Sequence, residues 1–409
     1  MLWLSVLLAV FTIPFEAASS VPLVGSVPRL VGGFTLMAFL AALGVKRRFY
    51  SVPGFYRVFA LYVLWTGLSR AWEANDAEYK TRFALLVQLA LFSMLIVQVA
   101  RTRRERAILA TSFGFGSVVA AIIVLVNKIT GVTYLDQELS IATVVTRSNV
   151  GHVARYTIGV EDPNYIGMTL LLGSLMLLWG LWVLRGRRGV QLGLALMPLI
   201  AFSALLTGSR GSTVVAPAVT VTYLFVVLGR RSVPRLIAIV ATTATAGFLV
   251  WRQLPADTQY RVLTGFDSTQ STSKTRTKVW LAGYHAFLRR PIHGYGLGSY
   301  QFVVKGEVGQ AFVAHNTFIN IAVELGTIGI VLFLLSLLRI WRRSYSLPVF
   351  DRIFVRTTLV LFMAAASFLS GDLKKVTFFT LALLVSVVTN RENVGVDSTA
   401  GRFESRFEY

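Results

Sequence analysis

The residues of this chain that could do chemistry are cations and one histidine, set in short polar segments between long apolar runs. Arg210 stands in Thr207-Gly208-Ser209-Arg210-Gly211-Ser212. Glycines there permit close approach of a ligand, and the exposed N–H groups of a following helix add to the Arg charge, so Ser209 and Arg210 suit an anion. The plainer reading is an interfacial arginine reaching the lipid head groups. Lys274, Arg276 and Lys278 precede Trp280, Tyr284 and Phe287. The aromatics recur at helical spacing, so Thr275–Arg290 is expected as an amphipathic helix on a membrane surface; packing alone would also explain them. Pro291 ends it, and Gly294, Gly296 and Gly298 make the next stretch rich in turns. His315 and Asn316 open a further apolar run. A histidine there is a passive interfacial residue or, near its ordinary pKa, a proton acceptor. Asp162-Pro163-Asn164 reads as an Asp N-cap with Pro at the first helical position. With Arg155 just upstream, Asp162 and Asn164 could also form the polar edge of a site.

The elements that must position these residues are membrane helices. The chain has 409 residues, 55% hydrophobic and 14% charged, against about a quarter charged in soluble proteins, and its mean hydropathy is +0.65. About twelve apolar runs approach the length that spans a bilayer. They are Leu2–Phe15, Arg29–Val45, Phe55–Ser69, Phe83–Ala100, Ala107–Val126, Pro163–Leu184, Val190–Leu206, Thr213–Leu228, Pro234–Val250, His315–Leu338, Ile353–Ser370 and Val376–Val388. The first lacks a basic leader and a cleavage site, so it is read as a span. Lipid obliges the backbone to satisfy its own hydrogen bonds, so the fold class is all-α, polytopic and helical, and no period-two alternation suggests a barrel. Asn316, Asn320 and Glu324 share one face of their helix, which should turn to the bundle interior.

The net charge of +21 is spread in short clusters between apolar runs, which excludes a nucleic-acid partner. Those clusters are Lys46-Arg47-Arg48; Arg101 with Arg103, Arg104 and Arg106; Arg185 with Arg187 and Arg188; Arg230-Arg231 with Arg235; and Arg342-Arg343 with Arg352. They occupy alternate loops, the positive-inside pattern, which puts both termini in the cytoplasm. Residues 1–389 form the transmembrane domain, with long outer loops at 127–162 and 252–314, and residues 390–409 form a disordered cytoplasmic tail. Long outer loops between short inner ones place the work on the outer face. Cysteine is absent, so no disulfide or thiolate metal site exists. A transporter would show repeats and polar breaks at mid-membrane. No repeat is evident, though Glu324, inside its span, favours that class.

The ordered series Arg155-x-x-x-Gly159-x-x-Asp162-Pro163-Asn164, Gly208-Ser209-Arg210-Gly211, Arg276-x-x-x-Trp280, Pro291-x-x-Gly294-x-Gly296-x-Gly298 and His315-Asn316-Thr317 with Glu324-Leu325-Gly326 resembles the O-antigen ligase and polymerase superfamily. The resemblance implies a glycosyltransferase of the bacterial inner membrane with a periplasmic active site. The donor it implies is a glycan on undecaprenyl diphosphate. The acceptor is lipid A–core for a ligase, the first reading, or another repeat unit for a polymerase. It also implies that Arg210 and Arg276 bind the diphosphate and that His315 activates the acceptor hydroxyl, with Asp162 the alternative base. Arg155, Asn164, Ser209, Lys274, Lys278 and Asn316 join Asp162 as expected substrate-binding residues. Acidic residues are scarce, 19 in the chain, so cations rather than a metal are expected to carry the diphosphate charge, with no cofactor.

Overall fold

A computed structural model describes residues 2–21, 25–26, 54–132, 155–159, 161–209, 271–371 and 373–389, with single positions at 32, 33, 35, 37, 237, 241, 245, 248, 252 and 259. These residues are helical apart from turns, loops and one antiparallel pair of two-residue strands, Ser20–Val21 and Gly25–Ser26. The helices are α1 (Leu2–Thr12), α2 (Gly54–Leu68), α3 (Asp76–Val99), α4 (Arg103–Thr130), α5 (Pro163–Leu206), α6 (Ser271–Arg289), α7 (Tyr300–Val308), α8 (Thr317–Arg343), α9 (Val349–Ala366) and α10 (Lys375–Thr389). Among the described residues, four runs are long and apolar enough to cross a membrane: Asp76–Val99, Arg103–Thr130, Pro163–Leu206 and Thr317–Ser346. The chain is a multi-pass membrane protein. Expected spans at Arg29–Val45, Thr213–Leu228 and Pro234–Val250 lie outside the described residues except at single positions, as do the tail 390–409 and much of the two long loops. The other expected spans coincide with helices.

Local chemistry sets the helix ends. Thr102 and Glu105 form a capping box at the start of α4, and Gly131 ends it in the left-handed conformation. Within α5 the chain reverses at Gly186 (φ 55°, ψ −135°), so the expected sixth and seventh spans form a hairpin. A Cβ on Gly193 would lie 2.5 Å from Leu178 Cδ2. Small residues also let α4 and the first limb of α5 meet backbone to backbone: a Cβ on Gly114 would stand 2.7 Å from Leu177 Cα. In lipid such contact is the driving force for helix association.

Several buried charged groups are paired, as a membrane interior demands. Asp351 of α9 accepts hydrogen bonds from Arg103 Nη2 (3.2 Å) and Trp179 Nε1 (2.9 Å). Arg106 donates to the carbonyls of Thr102 (3.1 Å), Arg101 (2.8 Å) and Ser386 (3.3 Å), closing the C-terminal end of α10. These contacts fix the start of α4, the turn of α5, the start of α9 and the end of α10 at one end of the bundle. The basic clusters at Arg101–Arg106 and Arg185–Arg188 therefore share that end. Arg356 Nε of α9 donates to Ser344 Oγ (3.0 Å), which brings the end of α8 there as well, and Arg339 Nη1 to Gly54 O (2.9 Å) adds the start of α2.

The opposite end holds the loops. There α8 is broken at Gly326 (φ 67°, ψ −166°), where the sequence reading had one continuous span. The orphaned backbone groups find partners in the Pro291–Ser299 loop. Tyr295 N donates to Val323 O (3.0 Å), Gly296 N to Glu324 O (2.7 Å), and Thr327 N to Pro291 O (2.7 Å). Trp65 Nε1 of α2 donates to Leu325 O (2.9 Å). The glycine-rich segment and Glu324-Leu325-Gly326 are thus one unit. Glu324 is 1% exposed and its Oε1 accepts from Arg82 Nη1 of α3 at 3.1 Å and from Tyr300 N at 3.4 Å. That unit ties the first half of α8 to α2 and α3.

Candidate functional site

Asp162 caps α5 as its sequence position demands. Its Oδ1 accepts from Asn164 N (2.8 Å) and Asn164 Nδ2 (2.9 Å). Asn164 Oδ1 in turn accepts from Arg155 Nη2 (3.1 Å), and Arg155 Nε donates to Thr207 O (3.1 Å). Thr207 follows the last residue of α5, so Arg155 joins the two ends of the hairpin; Tyr156 N–H to Leu206 O (3.3 Å) repeats the link. Ser209 is buried, its N–H on Thr207 Oγ1 at 3.3 Å. Arg210 and the Lys274 side chain lie outside the described residues.

His315 arrives from the other side. The expected amphipathic helix is present as α6, and Trp280 Nε1 donates to Ala314 O (2.7 Å), fixing the segment just before the histidine. Beneath it, Tyr300 of α7, a helix the sequence reading did not anticipate, donates its hydroxyl to Val279 O (3.1 Å). Val279, Ala282, Ala286, Tyr300, Val304 and Ala314 form a small separate core with Val323. His315 holds φ at +46° and is the one non-glycine residue with positive φ among those described. Such a conformation is costly for a branched or bulky side chain and collects at functional sites. Its side chain is partly exposed, and Nδ1 stands 3.7 Å from Asp162 Oδ2. Burial, then the charge of Arg276, then that of Arg155, push its pKa below the ordinary value, against the opposing pull of Asp162. The same side chain therefore feels Arg155 and Asp162 from one segment and Arg276 from another far away in the chain. Lys278 is exposed on α6.

Asn316 serves the fold. Its Oδ1 accepts from Phe318 N (3.0 Å) and Ile319 N (3.1 Å) and caps α8. Thr317 Oγ1 donates to Leu369 O (2.6 Å) and accepts from Gly371 N (3.0 Å), which docks the α9–α10 connection beside the histidine. From that connection Lys374 Nζ reaches Glu161 Oε1 at 2.7 Å, next to Asp162. The sequence reading passed over this pair. Its one signal was two adjacent lysines, Lys374 and Lys375, on the side of the membrane that the positive-inside pattern leaves poor in cations. Glu161 and Asp162, neighbours in sequence, take different partners. Three helices, α5, α8 and α10, begin at this end, so the positive ends of their dipoles gather there. The arrangement can hold an anion against arginine and lysine and offer a weakly basic imidazole to a hydroxyl.

Residues 194–334 match a protein-family model described as O-antigen ligase. That stretch includes Ser209, Arg210, Lys274, Arg276, Lys278, His315 and Asn316, whereas Arg155, Asp162, Asn164 and Lys374 come from outside it. A search of curated proteins finds no match.

Proposed function

We propose that this chain, which carries a domain of the O-antigen ligase superfamily over residues 194–334, is a membrane glycosyltransferase that moves a glycan from undecaprenyl diphosphate to lipid A–core. The single observation behind this reading is the meeting of His315 with Asp162, at 3.7 Å, within the fields of Arg155 and Arg276. The acceptor hydroxyl attacks the anomeric carbon of the donor sugar. As the new C–O bond forms, the bond to the diphosphate breaks and its electron pair leaves with the phosphate oxygen. His315 takes the hydroxyl proton, for which its lowered pKa keeps the imidazole neutral. Asp162 steadies the imidazolium that forms. Arg276, with Arg210, neutralises the charge growing on the leaving diphosphate through charge-assisted hydrogen bonds, a role that otherwise falls to a divalent metal. Arg155 supports Asn164 and the helix start that carries Asp162.

Orientation follows from charge. Among the described residues the arginine clusters share the end remote from His315, and the positive-inside rule assigns that end to the cytoplasm. The site then faces the periplasm of a bacterial inner membrane, with both termini cytoplasmic.

The test is transfer by purified protein supplied with lipid-linked glycan and lipid A–core. His315→Asn is the informative variant, because Asn tolerates positive φ and lacks a comparable base. It should lose roughly a hundredfold or more in rate, the usual loss for a transition-state group, while wild-type rate is unchanged by excess chelator. A variant with near-normal turnover would remove His315 from the chemistry. In a deletion strain, accumulation of long lipid-linked polymer supports the ligase reaction; accumulation of single capped repeat units would instead make the enzyme a polymerase using the same donor.

A further inference from the structure

Lys374 has no part in the chemistry above, yet its position is fixed from several sides. Gly371, three residues earlier, is held by Thr317 Oγ1 (3.0 Å) at the start of α8, and Thr377 Oγ1 grips Gly371 O at 2.6 Å. Three residues of chain reach about 10 Å at most, so Lys374 cannot stray far from the His315–Thr317 turn. Its ammonium lies 4.6 Å from the Tyr165 ring centroid and 2.7 Å from Glu161 Oε1, and the two side chains of the pair are 38% and 26% exposed. An ion pair that open to solvent adds little stability, so fold maintenance alone gives weak reason for a lysine here. The next residue differs in its partner: Lys375 pairs with Glu16, in the turn after α1, away from Glu161 and Asp162. Lys374 instead holds a charge at the rim of the site, balanced by a carboxylate that a stronger anion could replace.

Resting on the donor assignment above, we infer that Lys374 is a further phosphate-binding cation of the site, and that the donor diphosphate displaces Glu161 from it. Glu161 is then a placeholder. It orients the lysine while the site is empty and competes with the ligand when the ligand arrives. A diphosphate carries more charge than one carboxylate and offers more acceptor oxygens, so the exchange runs toward the ligand. Lys374 touches the leaving group but no reacting carbon; its contribution is to donor binding.

The two roles separate in a binding experiment on the full-length protein in detergent, with undecaprenyl diphosphate as the probe. Lys374→Gln should weaken binding about tenfold or more, and Lys374→Arg should keep most of it, since one charge-assisted hydrogen bond is worth that much. Glu161→Gln should bind at least as tightly as wild type, because the competing carboxylate is gone. If the pair were only a brace, the two Gln variants would weaken binding alike, and that result overturns the inference. So does a Lys374→Gln protein that binds like wild type while Arg276→Gln is weakened. Should Lys374→Gln fail to fold, the Glu161→Gln affinity alone decides, since a brace predicts loss and a placeholder does not. Failure of wild-type protein to bind undecaprenyl diphosphate at all would instead strike the donor assignment itself.

Discussion

At the scale of single residues, Asp162 serves two readings of the sequence at once. One carboxylate oxygen caps α5 through Asn164 N, and the other faces His315. Asn316 is a cap as well: its side-chain oxygen accepts from Phe318 N at the start of α8. Asp-Pro-Asn and His-Asn-Thr are both good helix starts, and only the long-range fold brings Asp162 to His315. The dyad makes a pH prediction. The base must be neutral to work, and the pKa of His315 is lowered by burial and by Arg276. The rate should therefore hold level as pH falls through the ordinary histidine range near 6.5 and drop only below it. Asp162 raises that pKa, so Asp162→Asn, which preserves the cap, should move the acid limb to still lower pH. A pH–rate profile of the variant checks this. Total loss of activity at every pH would make Asp162 the base instead.

At the scale of elements, the hydropathy pattern reveals where helices run but not where they break. Polar stripe residues Asn320 and Glu324 turn inward as expected, at 2% and 1% exposure. The break two residues beyond Glu324 is set by the Pro291–Ser299 loop, which no local periodicity encodes. A glycine is needed there on two counts. Gly326 occupies a backbone region that L side chains avoid, and a Cβ would sit 2.6 Å from His293 N. Gly186 shares the first demand only, since nothing lies within 4 Å of its Cβ position. Gly326→Ala should therefore cost clearly more than Gly186→Ala, for which about 1–3 kcal/mol of conformational strain is expected. Thermal unfolding of the detergent-solubilised variants checks the ranking. Gly326→Ala should also depress transfer, because the same loop clamps the half of α8 that directly follows His315. Equal melting temperatures for the two variants would show that the loop can withdraw from α8 at little cost.

At the scale of the whole molecule, what was legible is what lipid itself dictates: apolar runs become helices, and cations gather where they need not cross. The candidate site could be named from its residue types, but its assembly could not be read from the sequence. Arg155, Asp162, Arg276 and His315 lie in segments that meet only when α5 returns on itself and α6 pins the chain before α8; the Lys374–Glu161 pair spans 213 positions. Contacts alone place His315 and the described arginine clusters, at 101–106, 185–188 and 342–343, at opposite ends of the bundle, and the proposed orientation, with the arginine end in the cytoplasm, rests on the charge rule. That assignment is open to direct measurement, because the native chain has no cysteine and every introduced thiol reports from a silent background. Thr277 and Gly309 are exposed at the His315 end, and Arg187 and Arg343 are exposed at the other. Single cysteines at Thr277 and Gly309 should react with a membrane-impermeant maleimide in intact spheroplasts. Cysteines at Arg187 and Arg343 should react only after the membrane is permeabilised. Since both pairs are exposed, a difference between them reflects the membrane and not the protein's own packing. The reverse pattern would turn the molecule over, put His315 in the cytoplasm, and remove the periplasmic glycan chain from its reach.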